Sequence, residues 1–136
     1  MADLSITAAN VVVPGRATRR RGTAGAAIAA GEVVYRDAAD GKFKLADADA
    51  SFMTGVGKVF LALNSAANNQ PTEVAEAGDI NMGSVFTAGT SYYLSATPGK
   101  IAPRADLGAG DRVILLGVAK SATQIAFRPI VSGVTL

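Results

Sequence analysis

The sequence predicts an all-β domain, a small barrel or sandwich built from a duplicated β-hairpin unit, with an extended N-terminal arm. Three observations carry that expectation. Residues 25–43 lie over residues 83–101 without a gap, keeping Gly25/Gly83, Ala30-Gly31/Ala88-Gly89, Tyr35/Tyr93 and Gly41-Lys42/Gly99-Lys100 in step. Where the copies differ, Ile28/Phe86, Val34/Tyr92 and Phe43/Ile101 stay apolar, so each copy reads as a strand, a glycine turn and a short return strand. Short apolar runs also recur between Gly and Pro along the chain, and no long stretch has the 3.6-residue periodicity of an amphipathic helix.

Residues 1–22 are rich in Ala, Arg and Thr, and a short strand at Val11, Val12 and Val13 is cut off by Pro14 and Gly15. This segment is expected to be an arm that orders only when something holds it. The body takes residues 23–136, with the internal repeat at about 25–66 and 83–122. After the first hairpin, residues 47–51 suit one helical turn or a loop, residues 57–63 a buried strand, and residues 64–71 a polar loop around Asn68 and Asn69. Residues 72–75 and 80–82 read as short strands flanking a turn at Gly78 and Asp79. The second hairpin is followed by a central strand at 112–119. The repeat extends into it, because residues 60–66 resemble residues 115–122 with one residue inserted. Residues 124–129 return across a turn at 121–123, and residues 131–136 form an apolar tail.

A chain of 136 residues makes one domain, burying roughly two-thirds of its unfolded surface. Apolar residues are 49% of it, but many are Ala and there is no Trp, so burial per residue is modest at about 25 cal/mol per Å². A thin core of this kind gains from association with like subunits into a closed cyclic oligomer. With no Cys, disulfides and thiolate metal sites are excluded; with no His, the side chain best suited to proton transfer near neutral pH is missing. The longest strongly apolar run, 113–119, is far short of the roughly 20 residues of a membrane span. No early basic region precedes an apolar block, so no signal peptide is expected. Of the net charge of +2, much sits at the start, where Arg16, Arg19, Arg20 and Arg21 face Asp3 alone among residues 1–22.

The carboxylates invite a metal reading that the repeat itself weakens. Asp37 and Asp40 could form a cation-binding turn, but the second copy has Ser95 and Pro98 there, so what both copies need is the turn. Asp47 and Asp49, and Asp106 and Asp111 around Gly108 and Gly110, read as solvated loops. A phosphate loop is excluded because Gly108 and Gly110 lead into a strand and not a helix N-terminus. Arg16, Arg19, Arg20 and Arg21 could neutralise phosphates. They have no interleaved aromatics for base stacking, so an acidic protein surface is the favoured partner and nucleic acid is not. Tyr35, Tyr92 and Tyr93 suit packing or an oligomer contact better than a sugar platform. No catalytic, cofactor-binding or metal-binding constellation emerges, and an enzyme is not expected.

The order of several blocks along residues 23–136 resembles a family of tailed-phage capsid decoration proteins, also called cement or head-stabilising proteins. The blocks are 30–35 (Ala-Gly-Glu-Val-Val-Tyr), 40–43 (Asp-Gly-Lys-Phe), 62–66 (Ala-Leu-Asn-Ser-Ala), 87–95, 98–103 and 116–119 (Leu-Gly-Val-Ala). The resemblance implies a β-rich structural virion protein, made in the host cytoplasm, that binds the outer surface of an icosahedral capsid. It implies a partner, the major capsid protein, and commonly a homotrimer, with a homodimer as the alternative. The arm is not part of the resemblance; from its charge it is expected to contact the capsid, and its removal to leave the body folded. The rival reading is a trimeric tail-fibre or surface-adhesin module that binds glycans through Tyr92, Tyr93 and loop Asn residues. A DNA-associated virion protein acting through the arm comes third.

Overall fold

The structure, a computed structural model, describes residues 3–13, 15–53 and 56–136. Among them nine strands form one curled antiparallel sheet, a half-barrel, so the protein is all-β. The strands are β1 (Ala17–Thr23), β2 (Val33–Arg36), β3 (Phe43–Leu45), β4 (Phe60–Ala62), β5 (Pro71–Asn81), β6 (Ser91–Leu94), β7 (Ile101–Pro103), β8 (Arg112–Ala119) and β9 (Gln124–Thr135). Their order is β3-β2-β4-β5-β9-β8-β6-β7, with β1 paired to β5 off this path.

That order reads the same from both ends once the repeat is recognised. The β2–β3 and β6–β7 hairpins begin and end at matched positions of the two copies. Their backbone bonds match too: the Gly31 N–H donates to the Ala62 carbonyl at 2.8 Å, as the Gly89 N–H does to that of Ala119. The Asp37 N–H reaches the Lys42 carbonyl at 2.9 Å, and the Ser95 N–H that of Lys100 at 3.0 Å. Gly41 and Gly99 both sit at positive φ (72° and 74°), which is why the turn keeps its glycine while its carboxylates vary. These bonds pair Ala62 with Ala119, two residues from the sequence match of Ala62 with Gly117. The β6–β8 pairing shifts register between Tyr92 and Tyr93, where Leu116 is an extra residue on β8.

Two apolar clusters cover opposite faces of β2 and β4, since successive strand residues point to opposite sides. Val33, Tyr35 and Leu61 join the large cluster with Ile80, Tyr92, Leu94, Ile101, Ile114, Ile125 and Phe127. Val34, Phe60 and Ala62 join a smaller one with Ala24, Ile28, Phe43, Ala66 and Val74. There Phe43 and Phe60 meet edge to face, centroids 5.3 Å apart at 83°. The repeat therefore buries the same positions in both copies but into different clusters: Ile28, Val34 and Phe43 into the small one, Phe86, Tyr92 and Ile101 into the large one.

The structure differs from the sequence expectation at the start of the chain and at Gly78. The segment read as an arm belongs to the body, and the boundary at residue 22 falls inside β1. Residues 17–23 pair along β5 from Ala17↔Gly78 to Thr23↔Pro71, Val12 bridges Asn81, and the Leu4 N–H donates to the Ile101 carbonyl at 2.9 Å. Leu4, Ile6 and Val11 pack on the large cluster. Burying those side chains and pairing the edge of β5 holds the segment without an external partner. Gly78 and Asp79 make no turn either. β5 runs through them, and Gly78 is required because a Cβ there would stand 2.7 Å from the Ala17 Cα. The expected strand over 57–63 narrows to β4, and the expected apolar tail at 131–136 is mostly the end of β9.

Candidate interaction surface

β1 brings three of the four N-terminal arginines against two carboxylates of β5. Arg19 Nη1 lies 3.1 Å from Glu73 Oε1, and Arg21 Nε lies 3.4 Å from Glu73 Oε2. Arg20 pairs with Glu76, which also takes Lys58 Nζ at 3.3 Å, and both cations lie over the Phe60 ring at 5.7 and 5.6 Å from its centroid. The acidic protein surface expected for these arginines is thus present within the same chain, supplied by antiparallel pairing that sets Arg21 opposite Glu73. Arg16, just ahead of β1, is exposed and has no ion pair among the described residues.

A second cation missed by sequence reading joins Arg16. Arg128, on β9, is exposed, is likewise unpaired among the described residues, and lines a cleft of about 280 Å³ with Arg16, Thr18 and Gly78. An adjoining cleft of about 290 Å³ holds Lys58, Glu76, Arg128, Pro129 and Ile130. The signal available in the sequence was one arginine in an otherwise apolar run, at Ile125, Ala126, Phe127, Arg128, Pro129 and Ile130. Along β8 and β9, Val118, Ile130, Val134 and Leu136 are exposed, Ile130 the most at 57%.

The tyrosines do not converge. Tyr35 and Tyr92 are buried, at 8% and 4% exposed, and both lie in the large cluster. The Tyr92 hydroxyl accepts the Thr87 N–H at 2.9 Å, and its ring lies 5.1 Å from that of Phe86. Burial pushes the Tyr35 phenol above its ordinary range, helped by the nearby Asp37 carboxylate. Tyr93 occupies the repeat position of Tyr35 but is half-buried, because only the first copy is covered on both faces. The Asn64 side chain, rather than pointing to a ligand, ties its loop to β5. Its Oδ1 accepts the Glu73 N–H at 2.7 Å and the Thr72 hydroxyl at 3.3 Å.

The carboxylate turns are filled from within. Lys44 Nζ stands 2.7 Å from Asp37 and 3.1 Å from Asp40. Asp37 is held below its usual range first by that lysine, and Asp40 first by the Lys42 N–H. Asp111 Oδ2 accepts the Gly108 N–H at 2.9 Å, closing the Gly108–Gly110 loop on itself. Asp47 is pushed up to about 6, first by burial and then by its hydrogen bond with Asp49. Among the described residues no group of three or more acidic side chains is placed to hold a metal ion, and no helix is long and apolar enough to cross a membrane. In comparisons with protein-family models, curated proteins and solved structures, the chain matches none.

Proposed function

We propose that this protein is a capsid decoration protein: a structural component that binds the outer surface of an icosahedral phage shell and bridges neighbouring major capsid subunits. The observation that carries the reading is the exposure of Val118, Ile130 and Val134 along the β8–β9 hairpin, with Leu136 just beyond it, on the strand that also bears the uncompensated Arg128. Exposed apolar side chains clustered on a rigid element mark a surface for another macromolecule. A clamp of this kind needs no reactive side chain, only contacts that the intact shell offers and separated subunits do not; binding then opposes disassembly by mass action. The resemblance of residues 23–136 to the decoration family supports the same reading. Assembly into a homotrimer belongs to the proposal, with the exposed apolar side chains shared between shell and neighbouring copies. The glycan-binding alternative is less well supported, since Tyr92 is buried and the Asn64 side chain bonds to β5.

The test is co-sedimentation with expanded, undecorated capsids of the phage or prophage that encodes the chain. Saturable binding at a fixed ratio to the major capsid protein is expected. Absence of binding at saturating concentrations overturns the reading.

A further inference from the structure

β9 has an unfilled edge. β5 carries β1 along residues 71–78 on one edge; on its other edge it carries β4 at Val74 and Ala75 and β9 from Gly78 to Asn81. β9 pairs with β5 only through residues 124–127; from Arg128 onward it keeps β8 on one side and has no strand on the other among the described residues. β4 and β9 diverge along that shared edge, leaving a fork beside Lys58 and Arg128, while Gly78, paired with Ala17 on one edge and Phe127 on the other, leaves Arg16 and Arg128 on either side of β5. The clefts lined by Arg16, Thr18, Glu76, Arg128 and Ile130 open at this fork.

The charges at the fork indicate what would fill it. Arg19, Arg20, Arg21 and Lys58 are engaged by Glu73 and Glu76, whose two carboxylates are outnumbered. Arg16 and Arg128 add two further guanidinium groups with no carboxylate of their own among the described residues. Ile130, on the same strand, is exposed beside them. From this charge imbalance we infer that the fork is a docking site for an extended acidic segment of a partner protein. The segment lies along the free edge of β9, with a carboxylate between Arg16 and Arg128 and an apolar side chain against Ile130. Guanidinium forks match carboxylates bidentately, and an added strand gains main-chain bonds from an open edge. Pro129 has no N–H to give, so those bonds come from Ile130 onward. The apolar wall and the adjacent Glu76 favour a peptide over a polyphosphate backbone. The identification of that partner with the shell's major protein rests on the capsid reading; the chemistry of the site does not.

The experiment uses the full chain and a labelled peptide of alternating Glu and Val, titrated by fluorescence anisotropy, with duplex DNA as the competing probe. The variant R16E/R128E is compared with R19E/R21E, which changes net charge equally but away from the fork. The peptide is expected to bind wild type, to lose about tenfold in affinity with R16E/R128E, and to change little with R19E/R21E. No peptide binding, equal losses in both variants, or tighter binding of duplex DNA with the same dependence on Arg16 and Arg128 overturns the inference. Capsid co-sedimentation separates the two proposals. Wild type that binds peptide but not capsids leaves the fork standing and removes the capsid reading. Capsid binding unchanged by R16E/R128E removes the fork as the shell-facing site.

Discussion

At Gly117 the β8–β9 pairing leaves no room for a side chain: a Cβ there would stand 2.1 Å from the Ala126 carbonyl oxygen. That neighbour is backbone in the central pair of the sheet and cannot swing aside as a long side chain would. Gly117→Ala is therefore expected to destabilise the protein by about 3 kcal/mol, read as a lowered midpoint in urea. Asp47 is a second residue with a sign to check. Its carboxyl, raised to about 6 in the folded protein from an ordinary 3.8, is easier to ionise once unfolded. The fold is thus favoured below pH about 4, loses stability as pH rises through about 6, and carries the full penalty above that. The group is only partly buried, so screening limits the effect to about 1 kcal/mol. Asp47→Asn keeps an oxygen to accept the Asp49 N–H. It should raise Tm at about pH 7 and leave it unchanged at about pH 4; a gain of equal size at both would refute the assignment.

At the scale of elements, β1 decides what a truncation means. Removing residues 1–22 strips the edge of β5, takes Arg20 off Phe60, and takes Leu4, Ile6 and Val11 off the large cluster. The expected result is a loss of about 3 kcal/mol or more, seen as a lowered thermal midpoint and aggregation, and not a folded body that merely binds less well. A truncated protein with unchanged Tm would return the segment to the status of an arm. The same element shows where the sequence was legible. The duplicated hairpins were readable because glycines at fixed spacing and apolar pairs such as Phe43/Ile101 report local geometry. β1 was not, since Thr18, Arg19, Arg20 and Arg21 have no alternation and their partners Glu73 and Glu76 lie some fifty residues away. Gly78 misled for a related reason: glycine signals a turn and a close backbone approach alike, and only the position of Ala17 separates them. At the candidate site Arg16 was visible as charge, whereas Arg128 became meaningful only when β9 was seen to leave β5 beside it.

Across the whole molecule the two hairpin units resemble independent modules in sequence, yet their bonding makes them interdependent. The Val33 N–H of the first donates to the Gly99 carbonyl of the second at 2.9 Å, the Gly99 N–H returns to Ala46 at 2.7 Å, and Lys100 pairs with Glu32 at 3.6 Å. β5 serves both, pairing with β4 of the first unit and with β9 of the second. Neither unit can open without breaking pairing in the other, so the chain should unfold in a single transition. The tyrosines allow each unit to be watched. With no Trp present, Tyr35→Phe leaves Tyr92 and Tyr93 as the remaining tyrosines, reporting the second unit alone, while far-ultraviolet circular dichroism reports the entire sheet. In that variant the two signals are expected to share one midpoint in urea. A separate, later tyrosine transition would mean that the second unit persists after the first has melted, and that the join between the two halves is the weak point of the sheet. A shared midpoint makes the two units a single rigid body, with load carried through β5 and β9 together.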